Sequence, residues 1–159
     1  METEDLQRLL NFAYFYLKFR PRTKKEVKDY LFKKIKTRHW STSEVDLALK
    51  KLEDQSFIND EAFVTWFVEQ RNKSKPKSEF AIRRELRRFG IEQEKIDKYF
   101  EKNLLDEESL ARKALVPRWK RLKSFDKRKR FEKASRFLLS RGFSYEIVKE
   151  TIANFEEKE

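Results

Sequence analysis

Apolar residues recur at helical spacing along almost the whole chain, and very little in the sequence could interrupt them. Leu6, Leu9, Leu10, Ala13, Tyr14 and Leu17 form a first stripe. Val27, Tyr30 and Leu31 form a second, Val45, Leu49 and Leu52 a third, and Phe63, Trp66 and Phe67 a fourth. Ile82, Leu86 and Phe89 follow, then Ile96, Tyr99 and Phe100. A seventh opens at Leu110, Ala114 and Leu115 and runs on to Trp119 and Leu122. Ala134, Phe137 and Leu138 make the eighth, and Val148, Ile152 and Phe155 the ninth. Two glycines and three prolines are the only strong breakers in 159 residues. No convincing period-2 strand pattern is present. The expected fold is all-α, with about nine helices.

The stripe boundaries carry helix-start chemistry. Thr23-Lys24-Lys25-Glu26 and Ser41-Thr42-Ser43-Glu44 both fit a capping box, in which a hydroxyl and a glutamate satisfy free amides of the first turn. Ser78, Asp106 and Ser144 are further N-cap candidates. Gly90 and Gly142 each follow one stripe and precede another. A helix end needs a left-handed residue there, and glycine adopts it without a Cβ clash. Pro117 interrupts a stripe that continues past it, so a kink or split is expected near Val116, with a fixed bend preferred over a hinge.

The nine stripes repeat in threes. Val27, Tyr30 and Leu31 align with Ile82, Glu85 and Leu86 and with Ala134, Phe137 and Leu138, at offsets of 55 and 52 residues. Ile58-Asn59-Asp60-Glu61-Ala62-Phe63 resembles Leu105-Asp106-Glu107-Glu108-Ser109-Leu110. Three tandem three-helix repeats are expected, at 1–56, 57–104 and 105–159. Such units are too small to bury much core alone and stack to share one, which leads to an elongated curved solenoid.

Several function classes are excluded by composition. With no cysteine, disulfides, zinc thiolate sites and thiol nucleophiles are absent. Two glycines cannot make a phosphate loop or a dinucleotide fingerprint. His39 is the single histidine; it reads as a loop or partly buried side chain and pairs with no nucleophile. Glu26, Glu44, Glu61 and Glu108 are accounted for by helix starts. No catalytic constellation, cofactor motif or metal set is expected. No segment approaches the roughly 20 apolar residues of a membrane span. The acidic start Met1-Glu2-Thr3-Glu4-Asp5 argues against a signal or transit peptide, and a cytoplasmic location is expected. Aromatics reach 14%, so the chain is expected to fold although 42% of it is charged.

The net charge of +11 is not spread evenly. Residues 18–38 carry a net +8, residues 71–88 a net +6 and residues 112–141 a net +11, which leaves −14 for the remainder. A clustered field attracts a polyanion, whereas an interspersed one largely cancels. The candidate binding residues follow this segregation. The first repeat offers Lys24, Lys25, Lys28 and Lys33. At about 100° per residue, Arg83, Arg84, Arg87 and Arg88 fill the arc opposite Ile82, Leu86 and Phe89. The third repeat offers Arg118, Lys120, Arg121, Lys123, Lys127, Arg128, Lys129 and Arg130. Trp66 and Trp119 lie on apolar stripes and read as core; Trp40 falls between helices and fits either a core or a stacking role. The expected ligand is acidic: nucleic acid, an acidic protein groove, or both.

From Leu6 to Phe155 the chain resembles the RecX regulatory proteins of bacteria. The matching segments are Arg20-Pro21-Arg22-Thr23-Lys24-Lys25-Glu26-Val27-Lys28-Asp29-Tyr30-Leu31, Phe57-Ile58-Asn59-Asp60-Glu61-Ala62-Phe63, Ile82-Arg83-Arg84-Glu85-Leu86, and the stretch Phe137 to Val148. No single motif is specific; their order and spacing carry the resemblance. Lys36-Thr37-Arg38-His39-Trp40 stands where a glycine-containing turn is typical, and Ala62 where arginine is common. The resemblance implies a modulator of the RecA recombinase. Such proteins engage the RecA filament on single-stranded DNA, in its groove, and mostly reduce strand exchange, ATP hydrolysis and co-protease activity. It implies a place in DNA repair, homologous recombination and the SOS response, with no catalytic residues. Without a sustained heptad seam, a monomer is expected. The alternatives left open by the residues themselves are a free-standing helical nucleic-acid binder and a scaffold for an unrelated acidic protein.

Overall fold

The computed structural model describes residues 3–158; Met1 and Glu2 of the acidic N-terminal run, and Glu159, lie outside the described residues. Among the described residues there are nine helices and no strand. They are α1 (Glu4–Leu17), α2 (Lys24–Arg38), α3 (Thr42–Asp54), α4 (Asp60–Ser74), α5 (Glu79–Arg88), α6 (Gln93–Lys102), α7 (Glu107–Leu122), α8 (Lys127–Ser140) and α9 (Tyr145–Glu157). Each expected stripe coincides with one helix.

The caps explain the starts. Thr23 forms the complete box: its hydroxyl accepts from the Glu26 amide at 3.1 Å, and the Glu26 carboxylate accepts from the Thr23 amide at 3.1 Å. The second box does not close. Ser41 Oγ accepts from the Ser43 amide at 3.3 Å, while the Glu44 carboxylate takes a hydrogen bond from Thr3 Oγ1. A tertiary partner has displaced the local one. Ser78, Asp106 and Ser144 cap as expected, accepting from the Ala81, Ser109 and Ile147 amides. Pro117 splits nothing, and α7 is helical from Glu107 to Leu122 around it.

The second helix of each repeat ends in the same way. His39, Gly90 and Gly142 have φ of 57°, 85° and 88°. The next residue then donates its amide five positions back: Trp40 to Ile35, Ile91 to Leu86 and Phe143 to Leu138. This is the Schellman termination, with an apolar residue after the left-handed one. His39 therefore holds the backbone shape that glycine holds in the other two repeats.

The chain forms two compact units. Unit 1 comprises Met1–Trp66 and Leu86–Tyr99. In it α1, α2 and α3 pack mutually around Leu9, Leu10, Val27, Leu31, Val45 and Leu52, all fully or almost fully buried. Thr23, itself buried, donates its hydroxyl to the Phe89 carbonyl at 2.7 Å. Unit 2 comprises Phe67–Glu85 and Phe100–Glu159. Here α7, α8 and α9 pack mutually around Leu115, Trp119, Leu138, Phe143, Val148 and Ile152. Each leucine or isoleucine so buried contributes about 1.5–3 kcal/mol. The Ser78 amide donates to the Arg141 carbonyl at 3.0 Å, which ties the start of α5 to the end of α8.

Candidate functional site

Cations on a helical surface divide into those with a carboxylate partner and those without, and the division locates the site. In unit 2 the carboxylate of Glu85 accepts from Arg71 at 2.5 Å and from Lys77 at 2.6 Å. Burial pushes the Glu85 carboxyl upward, but Arg71 and then Lys77 outweigh it and hold the group below its ordinary value. Arg130 forms a two-bond fork with Glu156 at 2.8 and 2.8 Å, and also donates to the Phe125 carbonyl. Arg83 bonds Glu79 at 2.9 Å and lies 4.8 Å from the Phe100 ring centre. Each of these cations has a carboxylate partner within unit 2.

Arg83 and Arg130, both in the expected binding set, are thus engaged by Glu79 and Glu156. A wheel projection places Arg83 on a polar arc and the basic run holds Arg130, but neither shows that Glu79 and Glu156 reach them. Of the other α5 arginines, Arg84 is exposed near Phe80, Arg88 is exposed, and Arg87 makes a long 3.5 Å contact with Gln93. In the first repeat Lys24 pairs with Glu53 at 2.8 Å, and Lys25 lies along Gly90. Lys28 and Lys33 are exposed. In the third repeat Lys120, Lys123, Lys127 and Lys129 are exposed, and Arg128 makes a 3.5 Å contact with Glu132 at the open surface.

A different set converges around Phe137. A cavity of about 460 Å³ is lined by Lys73 at the end of α4 and Pro76 after it, by Lys113, Pro117, Arg118 and Arg121 of α7, and by Phe137 of α8 with Arg141 at its C-cap. A second, of about 250 Å³, shares Arg118, Arg121 and Phe137 and adds Lys133. A third, of about 540 Å³, shares Arg118, Phe137 and Arg141 and adds Lys75 and Arg136. Among the described residues no aspartate or glutamate lines any of the three. Arg118 stands 4.0 Å and Arg141 4.8 Å from the Phe137 ring centre. The ring thus orders two guanidiniums by cation–π attraction. Arg141 donates to the Pro76 carbonyl at 3.2 Å. Burial, then the charges of Arg118 and Arg71, hold its guanidinium below arginine's ordinary value. Like charges held this close, with no acid among them, suit phosphate or carboxylate oxygens, which the planar guanidinium binds two at a time.

Arg118 and Arg121 belong to the expected set; Lys73, Lys75, Lys113, Lys133, Arg136 and Arg141 were not singled out. For Lys113, Lys133 and Arg141 the signal is spacing. Lys113, Pro117 and Arg121 lie at i, i+4 and i+8 on α7, and Lys133, Phe137 and Arg141 at the same spacing on α8. Trp119 and Trp40 serve the two cores, while Trp66 is half-buried beside Phe63 and differs from the expected core role. Trp119 is 5% exposed beside Phe155; Trp66 lies 5.6 Å from Phe63; Trp40 packs half-buried against the first core, 6.4 Å from Phe12. His39 is exposed. Among the described residues no group of His, Asp and Glu could hold a metal ion, and no helix is long and apolar enough to cross a membrane.

Comparison with known proteins gives this architecture a family. Residues 59–99 match the family model of the RecX second three-helix domain, and residues 106–152 that of the third. A regulatory protein RecX of Chlorobium phaeobacteroides is 30% identical over 154 residues, covering 96% of each chain. The chain belongs to the RecX family. Regulatory protein RecX of Geobacillus kaustophilus is 26% identical over 95% of this chain but only 55% of its own length. The chain thus spans about half the length of several of its RecX relatives. A crystal structure of a regulatory protein RecX superposes with a TM-score of 0.71 at 27% identity, covering 94% of this chain and 71% of that one. The RecX structure from Lactobacillus salivarius gives 0.74 at 23% identity over 96% and 97%, which speaks for the fold. The all-α fold of three-helix repeats is that of RecX regulators.

Proposed function

We propose that this RecX-family protein is a non-enzymatic, monomeric regulator that binds the filament of RecA recombinase on single-stranded DNA and lowers its ATPase, strand-exchange and co-protease activities. In this reading the repeats run 1–56, 57–104 and 105–159, and the protein acts in the cytoplasm on DNA repair and recombination. The observation that carries it is the acid-free group of cations around Phe137, which sets Arg118, Arg121 and Arg141 where strand phosphates or acidic protein groups would satisfy them. The exposed lysines and arginines of the first two repeats add weak contacts. Linked weak contacts act at high effective concentration and sum to firm binding.

The test is single-strand-dependent ATP hydrolysis by the cognate recombinase, titrated with this protein at moderate salt and with DNA in excess. Substoichiometric inhibition supports filament recognition, since competition for excess DNA could not produce it. The double variant Arg118→Glu, Arg121→Glu should remain folded and inhibit more weakly. Inhibition that vanishes as DNA is added would replace this reading with plain nucleic-acid binding, whose affinity falls with rising salt as counterions are released.

A further inference from the structure

Unit 1 holds a concavity of different chemistry from the Phe137 site. It measures about 520 Å³ and has an apolar floor that includes Leu17, Phe57, Phe63 and Trp66. Phe57 is 53% exposed, although it touches Tyr14 with ring centres 4.9 Å apart. Ser56 produces that exposure. Its left-handed φ of 62° reverses the chain after α3, so that Ile58 turns into the core and Phe57 does not. The Phe57 amide donates to the Leu52 carbonyl at 2.8 Å, so the turn is a Schellman termination of α3.

The rim is made of donors. Lys18, Arg20, Arg22, Ser56 and Asn59 line it, and no carboxylate does. Asn59 Oδ1 is already taken by the Ala62 amide at 3.0 Å, which leaves the amide NH2 as its free polar group. Arg20 is held by Glu26 at 2.6 Å and lies 5.6 Å from the Phe89 ring centre. Arg22 lies 4.0 Å over Tyr16 and donates to the Tyr16 carbonyl at 3.3 Å. Both guanidiniums are fixed before a ligand arrives, so using their remaining N–H groups costs little entropy. Aromatic side chains with ordered arginines are the composition of protein-binding hot spots. A strand of nucleic acid fits less well, because a phosphate over the apolar floor would lose hydration without compensation.

We propose that this cleft docks an acidic segment of a partner protein, with an apolar or aromatic side chain on the Phe57–Trp66 floor and a flanking carboxylate on the Arg20 and Arg22 rim. That the partner is the recombinase rests on the function proposed above; the chemistry of the segment does not.

The probe is a fluorescein-labelled peptide alternating Phe or Leu with Asp or Glu, with a second peptide carrying Lys at the acidic positions. Its anisotropy is read against the whole chain and against Ala62→Glu. Ala62 is exposed, lines the cleft, and sits in the first turn of α4, where an acid suits the helix dipole. The acidic peptide should bind saturably and the lysine peptide should not. Ala62→Glu should weaken the acidic peptide about tenfold or more, since like charge is set against it. Its affinity for a thymidine oligonucleotide should be retained. Equal binding of both peptides, an unchanged affinity in Ala62→Glu, or loss of the oligonucleotide in that variant would overturn the proposal. If the peptide behaves as expected while recombinase ATPase is untouched by the wild-type chain, the cleft stands and the filament reading falls. If ATPase is inhibited but no acidic peptide binds, the reverse holds.

Discussion

The left-handed ends of α2, α5 and α8 make an internal experiment, because the same backbone shape is held by histidine once and by glycine twice. Replacing Gly142 with alanine adds a Cβ at φ 88°, and this costs about 1–2 kcal/mol in an L-residue. The added atom would also meet Ser78 Oγ and stand 2.7 Å from Ala81 Cβ, contacts that need the neighbours to move. Overpacking of this kind costs about 1–3 kcal/mol, against about 0.4–1 kcal/mol regained from the stiffer unfolded chain. Gly142→Ala should therefore lose about 2–4 kcal/mol. Gly90→Ala should behave alike, since its Cβ would fall 2.6 Å from Lys25 Cβ. His39→Gly should move the other way. It relieves the strain at φ 57° and loses no side-chain hydrogen bond among the described residues, for a net gain of about 0.5–1 kcal/mol. Urea unfolding followed by helical circular dichroism reads all three. With a slope of about 1–3 kcal/mol per molar, the glycine variants should lose about 1–2 M in midpoint. A Gly142→Ala protein within about 0.5 kcal/mol of wild type, or a His39→Gly protein less stable than wild type, would refute the reasoning.

Glu85 has a lowered folded-state pKa, so its contribution is present above the unfolded value and is lost as pH falls through the carboxylate range. Glu85→Gln should lower stability at pH 7 by about 1–3 kcal/mol and flatten the acid limb of a stability–pH profile; an unaltered limb would assign that limb to other carboxylates. Arg130→Ala should cost about 2–4 kcal/mol, because it leaves Glu156 without its two-bond partner, while single-strand affinity at native temperature stays near wild type. A loss of DNA binding without loss of stability would return Arg130 to the binding surface.

The helices were legible because their code is local. A stripe such as Val45, Leu49 and Leu52 needs only the helical period, and the Thr23 box needs only four adjacent residues. Where a distant group intervenes, local reading fails. Thr3 engages Glu44 and so opens the second box, and Glu156 engages Arg130 in a pairing that the charge pattern does not show. The candidate site was half legible for the same reason. Arg118 and Arg121 stand out in a basic run, whereas Lys73 meets them from the α4–α5 side, where the Ser78 amide binds the Arg141 carbonyl. That bond draws the α4–α5 linker onto the end of α8, and no spacing rule spans such a distance in sequence.

The repulsion among Arg118, Arg141 and Arg71 has a thermodynamic counterpart. A fold that gathers like charges around one phenylalanine is less stable than one with neutral side chains there, and that deficit is set by the same groups that would bind a polyanion. Any anion that prefers the native state therefore acts as a folding ligand, raising stability by RT ln(1 + [L]/Kd). Ligand and fold are coupled through one set of charges, so the melting temperature of the free chain understates how firmly unit 2 is held once its cations are answered.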